Sequence, residues 1–240
     1  MTIDVSIILP CYNESGNIPS IIDKSSKLLR KYNNYEVIFV NNGSSDNTSN
    51  ILNDNLNIIS NRFKIVTIDK NIGYGHGIIT GLNSASGKIL AWTHADNQTD
   101  LFDIPRGVEL LEKSNIKTSI KGKRMSRGLI DRIFTYGMQL FVKLYLGVYL
   151  DDINAQPKII HKATYDELIK QNPPNDFSLD LFLLYKLKQN NIIIKEIDVY
   201  FGKREHGEAK GGGSLKTKLN LTFRTFKYIL DLKKALNKDD

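Results

Sequence analysis

Residues 88–100 read Lys-Ile-Leu-Ala-Trp-Thr-His-Ala-Asp-Asn-Gln-Thr-Asp, an apolar run that empties into polar side chains. His94, Asp96 and Gln98 occupy alternate positions there, and in extended chain alternate side chains share a face. An imidazole, a carboxylate and an amide oxygen suit a hard or borderline divalent ion that keeps its remaining positions for water and phosphate oxygens. A polar loop after a strand is the plainer alternative. A second group of candidates lies toward the C-terminal end. Arg204, His206 and Lys210 share a loop that runs into Gly211-Gly212-Gly213. A glycine-rich cationic loop can close over a diphosphate and give it charge-assisted hydrogen bonds. An ordinary surface loop has the same composition.

The hydrophobic pattern shows which elements must position these groups. Residues 89–92 are a short apolar run after a turn-like 84–87 segment, the mark of a buried strand. Strands are also expected over 4–9, 36–40, 64–68, 118–121 and 192–200. Helices are expected over 17–32, from the capping residues near 44–48 to about 59, from the glycine run to 85, and over 105–113, 131–150, 178–188 and 215–236. Polar stretches at 151–157 and 202–214 interrupt them. Strands alternating with helices imply βαβ units. The expected class is therefore α/β, a mainly parallel central sheet flanked by helices, with a C-terminal amphipathic helical segment. Open sheets of this kind bind ligands beyond the carboxyl ends of their strands. Lys70 followed by Gly73, Gly75 and Gly77 superficially suggests a dinucleotide loop. The spacing is wrong, the run follows the third strand, and no acidic partner stands at the proper distance, so that reading is rejected.

A chain of 240 residues makes one large domain or a domain with an appendage, divided here as 1–214 and 215–240. The lone Cys11 excludes an intramolecular disulfide and fits a reducing compartment. The start of the chain has no basic region ahead of an apolar run, and no segment has the length of a membrane span. The net charge of +7 gathers in 121–143 and 203–238, which suits phosphorylated ligands or anionic lipid. Nucleic acid is not an expected partner, because the basic residues form no recognisable module. Leu219, Phe223, Phe226, Ile229 and Leu230 recur at near-helical spacing among Arg224, Lys227, Lys233 and Lys234. A basic amphipathic helix of this kind can lie in a membrane interface, with the 131–150 helix beside it. The alternative is packing onto the sheet or into a homo-oligomer.

Four motifs in register carry a family likeness: Pro10-Cys11-Tyr12-Asn13-Glu14, then Asn42-Gly43-Ser44 with Asp46 and Thr48, then Asn71 with Gly73 and Gly75, then Ala95-Asp96-Asn97-Gln98. Over roughly the first half of the chain their order and spacing resemble family 2 glycosyltransferases of the GT-A fold. The second half, through Phe201, Arg204, Gly207, Glu208 and Lys210, is more loosely similar to the polyprenyl-phosphate sugar transferases of the dolichyl-phosphate mannose synthase group. Two motifs depart from the pattern. Asn41-Asn42 stand where the family usually has two aspartates, and His94 where its metal motif usually begins with aspartate. An asparagine oxygen still accepts a base N–H, without a charge. Histidine still ligates Mn²⁺ or sits beside a phosphate. Base preference and metal dependence turn on these two departures.

The resemblance implies a set of roles. Pro10, Tyr12 and Glu14 would hold the nucleoside and Asn42 would read the base edge. Lys70 and Gly75 would border the nucleotide, the glycines admitting it close to the backbone. Arg124 would contact the diphosphate, and Mg²⁺ or Mn²⁺ would sit on Asp96 and Gln98, with His94 as a third ligand. Asp96, Asp180, Arg204 and Lys210 form the expected catalytic set. A hydroxyl acceptor would require a base, for which Asp180 is the candidate; a phosphate acceptor is already ionised and requires none. Asp176, at the start of the same helix, has N-capping as its competing role. The expected activity is inverting transfer from a UDP- or GDP-sugar to a polyprenyl phosphate, peripherally on the cytoplasmic face of the cell membrane. Transfer to a hydroxyl of a cell-surface glycan precursor is the runner-up, and a non-catalytic nucleotide-sugar binding domain is the rival of another class.

Overall fold

The computed structural model describes residues 2–56, 60–125, 129–204, 206–207 and 215–239. One seven-stranded sheet runs in the order β3-β2-β1-β4-β6-β5-β7. β1 (Val5–Cys11), β2 (Tyr35–Asn42), β3 (Phe63–Ile68) and β4 (Ile89–Trp92) are parallel. β5 (Thr118–Arg124) and β6 (Lys158–His161) follow, with β6 antiparallel to both β4 and β5. β7 (Ile193–Val199) then runs parallel to β5 at the edge.

Two helical layers cover the sheet. α1 (Ile18–Lys31), α2 (Thr48–Leu56) and α4 (Asp103–Glu112) pack on one face, where Val5, Ile7 and Leu9 of β1 point. α3 (Tyr74–Asn83), α5 (Leu129–Leu146), α7 (Leu179–Gln189) and α8 (Leu215–Asp239) share the other, with Ile8, Leu90 and Trp92. The opposed directions of Ile7 and Ile8 are the two-residue period of a strand buried on both faces. α6 (Lys162–Thr164) is one short turn that continues into the π turn Tyr165–Ile169.

The strand β6 was not expected, because only Ile159 and Ile160 separate Lys158 from His161 after the polar 151–157 stretch. The helix expected over 131–150 ends at Leu146, since Gly147 takes a left-handed φ of 70° and stops it. α8, expected as an appendage, lies along α5: the rings of Phe141 and Phe226 are 4.1 Å apart, and Ile229 is buried in the core.

Candidate active site

The loops leaving β1 and β2 at their carboxyl ends are laced together. Ser44 Oγ accepts from the Asn13 backbone N–H at 3.0 Å, Thr48 Oγ1 from Glu14 at 2.9 Å, and Asp46 Oδ2 from Ser15 at 3.1 Å. Burial alone would raise the Asp46 pKa, but hydrogen bonds from Thr48 and Ser15 hold it below the usual carboxylate range. Asp46 and Thr48 therefore shape the loop that carries Tyr12 and Glu14. Pro10 lies opposite Val40 in the sheet, and Cys11 opposite Asn41. Asn42 is buried; its Nδ2 donates to the Gly73 carbonyl at 3.0 Å, and its Oδ1 has no hydrogen-bond partner among the described residues. A buried oxygen so placed suits a ligand N–H.

The glycines after Lys70 have a different use from the one expected. A Cβ on Gly75 would stand 2.3 Å from the Pro174 carbonyl oxygen, and one on Gly73 would stand 2.1 Å from that of Asn175. The space beside Gly75 is thus filled by the chain's own 174–176 backbone, with His76 N–H donating to Asn175 O at 3.0 Å. Close approach is needed there for a loop crossing. Lys70 is exposed just ahead of this crossing.

His94, Asp96 and Gln98 do not converge by strand alternation. β4 stops at Trp92, and Asn97 takes a φ of 60° while its Oδ1 accepts from Lys24 Nζ at 2.8 Å. The segment is a turn. Gln98 is engaged with the 201–207 segment: its Nε2 donates to Gly202 O at 3.0 Å, and its carbonyl accepts from Gly202 N–H at 2.7 Å. His94 stands with its ring 5.8 Å from that of Tyr74. Asp96 remains at the centre, its Oδ1 accepting from Gln98 N–H at 3.1 Å.

Arg204 closes the arrangement. Its Nη2 donates to Glu14 Oε1, its Nη1 lies 3.5 Å from Asp96 Oδ2, and its Nε donates to the His206 carbonyl at 2.8 Å. Asn17 Nδ2 binds Glu14 Oε2 at 2.6 Å and the same His206 carbonyl at 3.3 Å. One guanidinium therefore spans the carboxylates of two motifs that lie 82 positions apart in sequence, Glu14 and Asp96. Lys210 and Glu208 lie outside the described residues.

Two further expected residues are committed elsewhere. Arg124 grips Asp152 through its backbone N–H and its guanidinium and lies 5.5 Å over the Phe201 ring, so it braces the start of the 201–207 segment. Asp180 is buried, with Lys158 Nζ at 3.4 Å and Gln156 Nε2 at 3.1 Å. A carboxylate so enclosed does not meet an acceptor hydroxyl, as a general base must. Asp176 Oδ1 accepts from the Ser178 backbone N–H at 2.9 Å, a turn-forming role at the start of α7. Gln156, Lys158 and Asp152 were missed in the sequence, where Asp152 and Gln156 fall in the polar 151–157 stretch and Lys158 was not singled out.

Among the described residues no group of three or more His, Cys, Asp and Glu side chains converges as a metal cage. Asp96 nevertheless fits Mg²⁺ or Mn²⁺, because these ions are commonly held by one or two carboxylates while substrate phosphates and water complete the shell. Its Oδ2 already faces a cation, the Arg204 guanidinium.

The glycosyl transferase family 2 model matches residues 6–165, most of the sheet and both laced loops. The chain belongs to that family. This family 2 glycosyltransferase is 24% identical over 208 residues to the undecaprenyl-phosphate 4-deoxy-4-formamido-L-arabinose transferase of Pseudomonas fluorescens, covering 86% of this chain and 59% of that protein. It is 26% identical over 223 residues to the enzyme of the same name from Yersinia enterocolitica, covering 91% of this chain and 65% of the relative. The chain thus spans less than two thirds of the length of these relatives. Its architecture is the GT-A fold. Glucosyl-3-phosphoglycerate synthase from Mycobacterium tuberculosis, crystallised with Mn²⁺, UDP-glucose and phosphoglyceric acid, superposes with a TM-score of 0.73 at 18% identity, over 96% of this chain and 80% of that one. The same synthase has also been crystallised with Mg²⁺ and UDP, at a TM-score of 0.71, 17% identity and coverage of 95% and 78%.

Proposed function

We propose that this glycosyltransferase moves a sugar, with inversion, from a UDP- or GDP-sugar to a polyprenyl phosphate at the cytoplasmic face of the membrane. The observation that carries the reading is the joining of the Glu14 and Asp96 carboxylates by Arg204 beyond the carboxyl ends of β1 and β4, with Asn42 at the carboxyl end of the adjacent β2. Glu14 would take ribose hydroxyls beside Pro10 and Tyr12, and Asn42 Oδ1 would accept a base N–H. Asp96 would hold Mg²⁺ or Mn²⁺, which when bound supplies positive charge to the departing diphosphate. Arg204 leaves the carboxylates for phosphate oxygens as the nucleotide enters. Arg204 suits this role because its fork matches two phosphate oxygens as well as two carboxylates.

Two observations favour a phosphate acceptor over a glycan hydroxyl. Asp180 is enclosed and unavailable as a base, which an ionised phosphate does not need. α5 and α8, which touch through Phe141 and Phe226, also expose large apolar side chains: Tyr136, Leu140 and Leu144 on one, Leu219, Phe223 and Leu230 on the other, with Tyr149 exposed just beyond the end of α5. Arg224, Lys227, Lys233 and Lys234 are exposed on α8 as well. Among the described residues no helix is long and apolar enough to cross a membrane. An amphipathic pair of this composition suits an interface carrying anionic lipid, where a polyprenyl phosphate is presented. Asp96→Ala tests the site: transfer is expected to vanish while the thermal midpoint holds. Wild-type turnover in a folded Asp96→Ala protein would remove Asp96 from the chemistry.

A further inference from the structure

A buried chain of polar groups runs beneath the site and ends at Tyr74. Lys158, 1% exposed, donates from Nζ to the carbonyls of Ile153 at 2.9 Å and Ala155 at 2.6 Å, with Asp180 Oδ1 at 3.4 Å. Asp180 accepts from Gln156 Nε2, and that same amide donates to the Tyr74 hydroxyl at 3.0 Å. An ionised carboxylate only accepts, so Asp180 fixes which end of the Gln156 amide faces it. Gln156 is 2% exposed, and its Oε1 has no partner among the described residues.

The Tyr74 hydroxyl therefore accepts one bond and keeps its own proton to give. Tyr74 opens α3, is stacked on Phe177 at 4.7 Å and 10°, and faces the His94 ring. Stacking alone needs no hydroxyl; phenylalanine would serve. A hydroxyl held by a buried amide, on a ring that stands beside His94, suits an oxygen acceptor on a bound ligand.

We propose that Tyr74 is a donor-binding residue whose hydroxyl gives a hydrogen bond to an oxygen of the sugar diphosphate, and that Asp180 is a positioning residue acting on Tyr74 through Gln156. This rests on the glycosyltransferase reading. The chemistry is one hydrogen bond to an acceptor oxygen, carried either by the diphosphate or by the sugar.

Calorimetric titration with UDP, GDP, UDP-glucose and GDP-mannose in Mn²⁺ separates the two sources. Tyr74→Phe is expected to weaken about tenfold whichever probe the wild type binds. An equal loss for the bare nucleotide places the contact on the diphosphate, and a loss confined to the conjugate places it on the sugar. Gln156→Leu keeps the Lys158–Asp180 pair and cuts only the link, so its effect should merge with that of Tyr74→Phe in the double variant. Asp180→Asn should leave the shape of the pH–rate profile of transfer unchanged. Undiminished binding by Tyr74→Phe, additive losses in the double variant, or disappearance of the acidic limb in Asp180→Asn would each overturn the inference. A wild type that binds none of the four probes would overturn it together with the proposed UDP- or GDP-sugar donor.

Discussion

Replacing Arg204 with glutamine separates its hold on the carboxylates from its service to the phosphates. Its guanidinium lies 3.5 Å from Asp96 Oδ2, and the side chain is 13% exposed. Opposite unit charges at that distance attract by about 5 kcal/mol at an effective dielectric of about 20. Desolvation and screening cancel most of this for a pair with solvent at its edge. What remains is on the order of 1.5 kcal/mol, a factor of about ten in an equilibrium constant. A divalent cation arriving at Asp96 must displace the guanidinium. Arg204→Gln should therefore bind Mn²⁺ about tenfold more tightly than wild type when no nucleotide is present, while transfer slows because the phosphate contact is gone. Paramagnetic resonance of free Mn²⁺ during titration measures the first effect, and turnover the second. Unchanged or weaker Mn²⁺ affinity in Arg204→Gln would refute competition at Asp96.

Three other substitutions or conditions test separate links. Gly75→Ala places a Cβ 2.3 Å from Pro174 O and 2.8 Å from Asp176 O, so 174–176 must shift; a loss of about 1–3 kcal/mol in denaturant unfolding is expected, and an unchanged midpoint contradicts the crossing. Lys158→Met leaves Asp180 buried without its cation and should cost about 3–5 kcal/mol in the same assay. Burial foremost pushes the Lys158 pKa down to about 8 despite the nearby Asp180, below its unfolded value. Charging Lys158 in the fold is thus unfavourable below about pH 8, and wild type should gain on Lys158→Met as pH rises from 8 toward 10; a flat difference contradicts this. Flotation with anionic vesicles should carry the protein upward at low salt, less so at high salt or after charge reversal of Lys227, Lys233 and Lys234. Protein left wholly in the soluble fraction, with dimers in sedimentation, would assign the α5–α8 face to a second copy.

The first half of the fold was legible because parallel strands buried on both faces read as continuous apolar runs, as in Ile7, Ile8 and Leu9 or Val37 to Val40. β6 was hidden because its first residue is a lysine, and a lysine reads as surface; here Lys158 is buried and satisfied by two carbonyls and Asp180. Local motifs marked Glu14, Asn42 and Asp96. What joins Glu14 to Asp96 is Arg204, 190 residues from Glu14, and no local period reports a contact of that range. The strand-alternation argument for His94 and Gln98 failed at Asn97, whose positive φ turns the chain. The glycine run was recognised as a close approach, but the approaching atoms belong to 174–176, a segment nearly a hundred positions on.

The most direct measurement is transfer itself. Purified protein is incubated with Mn²⁺, undecaprenyl phosphate in mixed vesicles, and a panel of UDP- and GDP-sugars labelled in the sugar. Label is expected to pass into a lipid product from at least one donor, with release of the nucleoside diphosphate, and to stop in Asp96→Ala. Transfer only to a glycan hydroxyl would displace the lipid phosphate as acceptor. Tight binding of a nucleotide sugar with no turnover across the panel and both acceptors would contradict catalysis and leave a binding domain.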